Sequence, residues 1–91
     1  MQTWKHKTPA SCPVVVITWR DIQEFSAWDE DDDIKPAVMQ TIGWLLHDGP
    51  LLDEPEVEVV ITAKTYQYQE KRWADYTCFP KTVIKTMDGA K

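Results

Sequence analysis

Five consecutive acids, Asp29, Glu30, Asp31, Asp32 and Asp33, form the densest set of ionisable side chains in this sequence. Alternating carboxylates are what a calcium loop requires, and Asp29, Asp31 and Asp33 match the first three ligand positions of an EF-hand. Ile34 then stands where the turn needs glycine, and Gln40 where the closing bidentate glutamate belongs, so an EF-hand is excluded. Adjacent like charges repel one another, and the run is expected on a solvated loop. As a binding feature it points to a protein partner with a basic surface. The other candidate is the stretch holding Tyr66, Tyr68, Lys71, Arg72 and Trp73, where aromatic rings stand beside bases. Rings that stack on bases and cations that meet phosphates are the chemistry of single-stranded nucleic-acid binding.

Catalytic groupings are harder to assemble. His47 adjoins Asp48 ahead of a glycine, but neighbours in an Asp–Gly turn point apart, which predicts a surface or sheet-edge histidine. Cys12 lies between Ser11 and Pro13 with nothing beside it to lower its pKa. Asp21 reads as a strand-end acid that satisfies backbone donors or pairs with Arg20. Cys12 and Cys78 are the only cysteines, neither lies in a CxxC, and His6 and His47 have no ligand spacing to them. Reduced thiols and no zinc are therefore expected. There is no glycine-rich phosphate loop. The residues predict a non-enzymatic protein with no cofactor.

Charge is unevenly laid out. Net charge is −5, with +3 over residues 1–20, −11 over 21–63 and +3 over 64–91. An acidic middle between basic ends can face partners of either sign. The total opposes the approach of a polyanion, which ranks a protein partner ahead of nucleic acid. No apolar run is long enough to span a membrane, and no secretion-type start is present, so a cytoplasmic protein without membrane contact is expected, either a monomer or a small homo-oligomer.

The elements that must carry these residues are strands. Glu56–Tyr68 is the clearest: Val57, Val59, Ile61 and Ala63 alternate with Glu56, Glu58, Val60, Thr62 and Lys64, the period of a half-buried strand. Val14–Trp19 is a short β-branched run launched by Pro13, and its continuous apolar character predicts cover on both faces. Trp73–Phe79 alternates until Pro80, and Thr82–Met87 reads as a last short strand. Met1–Pro13 is an irregular lead-in from which Trp4 packs back, followed by one domain over residues 14–88. Arg20–Asp33 admits either one or two helical turns or a loop pinned by Phe25 and Trp28. Lys35–Pro50 fits a helix begun by Pro36 and closed by Gly49. It equally fits a strand in which Gly43 marks a bend or bulge.

A β-branched run ending in Trp19-Arg20-Asp21, then Trp28, then Thr41–Leu46 (TIGWLL), an alternating strand and Phe79–Met87 (FPKTVIKTM) resembles small uncharacterised bacteriophage proteins. Those carry a "W-x-D … W … S-V-G-[FW]-L" line and a closing "I-P-x-x-x-I" segment. This chain has Thr41 for Ser, Ile42 for Val, Phe79 for Ile, and a longer acidic insertion. The resemblance implies no activity and carries over no functional residue. It does imply a bent strand over Ala37–His47. It also implies an ending like that of SH3-like and Sm-like small barrels, in which a proline-led 3-10 turn sends the last strand back to the first. The resulting expectation is a mainly β fold, a strongly bent antiparallel sheet or partly open SH3-like barrel of about five strands with at most one short helix. Its expected core is Val15, Ile17, Trp19, Ile42, Trp44, Leu46, Val57, Val59, Ile61, Phe79 and Ile84. A phage-encoded protein of this kind would act in the host cytoplasm, on a host protein.

Overall fold

The computed structural model describes residues 3–21 and 35–90. Five antiparallel strands make one open sheet: β1 (Val14–Asp21), β2 (Ala37–Pro50), β3 (Glu58–Gln67), β4 (Arg72–Pro80) and β5 (Ile84–Gly89), in the order β4-β3-β2-β1-β5. The helical content among the described residues is confined to 3-10 turns at Thr3–His6, Pro9–Ser11 and Lys81–Val83. No described helix is long and apolar enough to cross a membrane. The last 3-10 turn follows Pro80, whose fixed φ and missing N–H end β4, and β5 then returns to pair with β1. The two-way reading of Lys35–Pro50 resolves as strand, and Ile22–Trp28 lies outside the described residues.

β2 is the longest strand because it serves two partners. Its first half pairs with β1, from Asp21↔Ala37 to Val14↔Trp44, and its second half pairs with β3, from Trp44↔Ala63 to Pro50↔Glu58. Of the bend or bulge expected at Gly43, no bulge is found there, since Gly43 pairs regularly with Val15; the bulge lies at Leu46, which has no opposite residue between Leu45↔Thr62 and His47↔Ile61. Gly43 serves close approach: a Cβ there would sit 2.9 Å from the Ala63 carbonyl oxygen and 3.3 Å from Thr62 Cβ. Only glycine lets β3 come that near as β2 changes partner.

The sheet curls strongly enough to bury β3 on both faces. On one face Leu46, Val59, Ile61, Ala63 and Trp73 pack under the lead-in residues Trp4 and Cys12. On the other, Val15 and Ile17 of β1 meet Val60 and Phe79. Trp19 of β1 reaches Phe79 of β4 with ring centroids 5.5 Å apart, although two strands lie between them in the sheet. The half-buried strand expected from the period of Glu56–Tyr68 is thus a strand buried on both sides from Val59 to Ala63. Of the expected core, Ile42 is the clear exception. It is 57% exposed, because β3 does not flank β2 there and no described segment covers that part of the sheet. Trp19, Trp44, Val57 and Ile84 are half-buried at the margins of the two clusters.

Two side-chain hydrogen bonds fasten the lead-in. The Trp73 indole N–H donates to the Lys7 carbonyl at 3.0 Å, and Lys7 Nζ donates to the carbonyl of the bulged Leu46 at 3.1 Å. At the far end, Lys81 holds the last 3-10 turn to the β2–β3 hairpin, with Nζ 2.7 Å from Asp48 and 2.9 Å from Glu58. Hydrogen bonds to Asp48 and Glu58 push its pKa above the ordinary 10.5. A raised folded-state pKa means that the bridge contributes fully below 10.5 and is lost as pH rises through the higher folded value. The stability difference between the wild type and Lys81→Met, measured by denaturant titration, is therefore expected to shrink at strongly alkaline pH.

Candidate basic and aromatic site

β3 starts beside an acidic turn and ends beside a basic one. Asp53, Glu54 and Glu56 are all exposed between β2 and β3. At the other end the four residues Tyr68–Lys71 turn the chain into β4, and Lys71 and Arg72 are exposed there. A ten-residue strand spans roughly 30 Å, so the two charged ends are several Debye lengths apart at physiological salt.

The fold adds a third cation that sequence spacing did not associate with this turn. The 3-10 turn at Thr3–His6 brings Lys5 to the same open cleft as Glu70, Lys71, Arg72, Trp73 and Tyr76, with a volume of about 480 Å³. A second cleft of about 310 Å³ lies on the other side of Arg72, between Gln67, Glu70, Trp73 and Ala74. Arg72 pairs with Glu70 at 3.1 Å, yet both side chains are well exposed, so the pair is weak and Arg72 can exchange its partner for a bound anion. Two non-glycine residues near this cleft have positive φ, Lys71 at 54° and Asp75 at 59°. Thr65 donates to Asp75 at 2.6 Å, which steadies the second of them. Lys71 closes the four-residue turn in the left-handed region, where Gly or Asn would be less strained.

The aromatic residues divide into support and surface. Trp73 is 4% exposed and belongs to the core, with its ring 5.5 Å from Trp44 and 4.7 Å from Tyr66. It is therefore no stacking platform. The series continues outward from Tyr66, half-buried, to Tyr68, whose ring lies 5.3 Å away and which is 72% exposed. Across the cleft Tyr76 is 47% exposed and rests edge-on against Trp4 at 5.1 Å. Of the stretch Tyr66–Trp73, the structure leaves Tyr68, Lys71 and Arg72 exposed and brings Lys5 and Tyr76 to Lys71 and Arg72. No spacing signal could have found Lys5, because its position depends on Trp4 and Lys7 docking on strands far along the chain.

The remaining chemistry-bearing residues are dispersed. His47 and Asp48 lie within β2 and not in the expected Asp–Gly turn, but they do diverge: His47 Nε2 meets the Pro50 carbonyl oxygen at 2.9 Å while Asp48 reaches Lys81. Cys12 is a buried free thiol, and Cys78 is a second free thiol whose pKa is pushed up by partial burial of its sulfur. A raised pKa leaves it less thiolate and so less reactive. Among the described residues no three His, Cys, Asp or Glu side chains are grouped closely enough to hold a metal ion. The acidic run Asp29–Asp33 lies outside the described residues.

These features define a small open β-sheet with a basic, tyrosine-flanked cleft at one end. Comparison with known proteins found no family model that matches the chain, and no curated protein or solved structure that matches it.

Proposed function

We propose that this chain is a small non-enzymatic interaction protein whose basic cleft binds the phosphates of a single-stranded nucleic acid. The observation that carries the reading is the convergence of Lys5, Lys71 and Arg72 on one cleft lined by the exposed ring of Tyr76, with Tyr68 exposed in the turn that precedes Lys71. Cations spaced around an open groove track a phosphate backbone, and exposed rings accept unstacked bases without regard to sequence. The net charge of −5 is a weaker objection than it looks. The described residues hold nine acidic and nine basic side chains, so the excess of acid comes from residues 22–34. Screening limits that excess to its own neighbourhood.

That same charge distribution favours a second reading, in which Asp29, Glu30, Asp31, Asp32 and Asp33 engage a basic-surfaced protein. For a phage-encoded chain this would be a host protein in the host cytoplasm, and a nucleic-acid enzyme has the required surface. The sheet order with a 3-10 turn leading into a last strand on β1 supports placing the fold beside the SH3-like small barrels within this proposal.

One experiment separates the readings. Fluorescence anisotropy with a labelled oligothymidylate is expected to show binding that weakens with salt, with a log–log slope near −2 for about three phosphate contacts. Lys5→Ala, Lys71→Ala and Arg72→Ala combined should abolish it, and Tyr68→Ala should weaken it by roughly 1–3 kcal/mol through lost stacking. Neutralising Asp29, Asp31, Asp32 and Asp33 should leave it intact or strengthen it. Unchanged affinity in the triple variant would overturn the nucleic-acid reading. A lysate partner lost only by neutralising the acids would establish the second. Trp73 is unsuitable for such a test, because its removal would damage the core.

A further inference from the structure

We propose that this chain forms a two-fold dimer through the first half of β2, by antiparallel pairing of residues 38–42 with the same segment of a second copy. This half of β2 pairs with β1 on one side, and β3 joins β2 only from Trp44 onward. Among the described residues no strand pairs with Ala37–Gly43 on its other side. An open edge presents backbone donors and acceptors that will accept another strand unless charge, proline or a bulge prevents it. None of these protects the segment: residues 36–46 carry no charge, Pro36 precedes the edge, and the bulge lies beyond it at Leu46. Val38 and Ile42 are 56% and 57% exposed, and Met39 is 41% exposed, on an otherwise ordinary surface.

The choice of a second copy as the occupant comes from the pattern itself. A two-fold axis perpendicular to the sheet keeps each residue on its own face, so facing residues must differ by an even number of positions. An axis through Gln40 sets Val38 against Ile42, Met39 against Thr41, and Gln40 against itself. The Val38–Ile42 pairs set β-branched apolar side chains against each other, and the central pair sets amide against amide. Moving the axis by one residue would set Val38 or Ile42 against Gln40 and lose both apolar pairs. The absence of charge over residues 36–46 also means that the facing segments themselves add no like-charge repulsion. The result is one sheet continuous through two molecules. The basic clefts take no part in it, so the proposal stands apart from the nucleic-acid reading.

Sedimentation equilibrium and cysteine cross-linking test it together. The wild type is expected to pass from monomer to dimer mass as concentration rises through the micromolar range. Ile42→Lys should remain monomeric throughout with an unchanged unfolding midpoint, since its side chain is mostly exposed. In a Cys78→Ser background, Gln40→Cys should form an intermolecular disulfide on mild oxidation, because facing Cα atoms in an antiparallel pair lie about 4.5–5.5 Å apart, within disulfide reach. Met39→Cys alone should not, whereas a mixture of Met39→Cys and Thr41→Cys chains should. A wild type that stays monomeric would overturn the proposal and leave the edge to an extended peptide of another protein. A dimer that survives Ile42→Lys, or that fails to cross-link through Gln40→Cys, would equally overturn it by placing the contact on another face.

Discussion

Ile61→Ala is expected to destabilise the protein by about 2–5 kcal/mol, through lost burial and the cavity left behind. Ile61 is 7% exposed and packs within the cluster of Leu46, Val59, Trp73 and the lead-in residue Trp4. A domain of this size has a total stability of about 5–15 kcal/mol, so this one change approaches the threshold of unfolding. A second substitution shows why. Val60→Ala, on the opposite face of the same strand, should also destabilise, because Val60 is 2% exposed against Ile17 and Phe79. In a sheet with one wet face only one of the two would matter. Urea denaturation of both variants checks this. A Val60→Ala variant as stable as the wild type would show that β1 does not close over β3 in solution.

Thr62→Val is expected to have the opposite sign, raising stability by about 1–3 kcal/mol. Thr62 is 1% exposed, and its hydroxyl has no hydrogen-bond partner among the described residues. Burying a hydroxyl without a partner costs the desolvation of that group, whereas valine keeps the branched shape and adds no polar atom. Its neighbours constrain the alternatives: Thr62 faces Leu45 on one side and Thr77 on the other, and its Cβ lies close under Gly43. A larger residue would collide there, which leaves valine as the natural replacement. For a domain of this length each kcal/mol moves the thermal midpoint by about 4–8 °C, so calorimetry resolves the effect easily. A lower midpoint for Thr62→Val would mean that the hydroxyl has a partner worth more than its burial costs.

The sequence by itself determined four of the five strands and left Lys35–Pro50, which holds β2, open between helix and strand. Alternation in Glu56–Tyr68, the β-branched run before Trp19 and the Pro80 stop are local patterns, and each appears in the structure as the expected element. It also determined that Trp4 packs back; His47 and Asp48 diverge as expected, though as alternating residues of β2 and not as members of an Asp–Gly turn. Periodicity reports only what one strand presents to its two sides. It does not report whether something distant covers the second side. For β3 that cover comes from β1, brought round by the bend of β2 as it passes from β1 to β3, and so Val60 and Thr62 are core. For Ile42 the same bend removes the cover, and an apolar residue that reads as core is left at an open edge. Trp73 reads as a ring beside bases, but the lead-in carbonyl that receives its indole proton arrives from the other end of the chain. Lys5 joins Lys71 and Arg72 by that same docking. Local alternation is written in adjacent residues. Closure, cover and the assembly of the basic cleft depend on contacts between residues remote in sequence, and only the tertiary structure decides those.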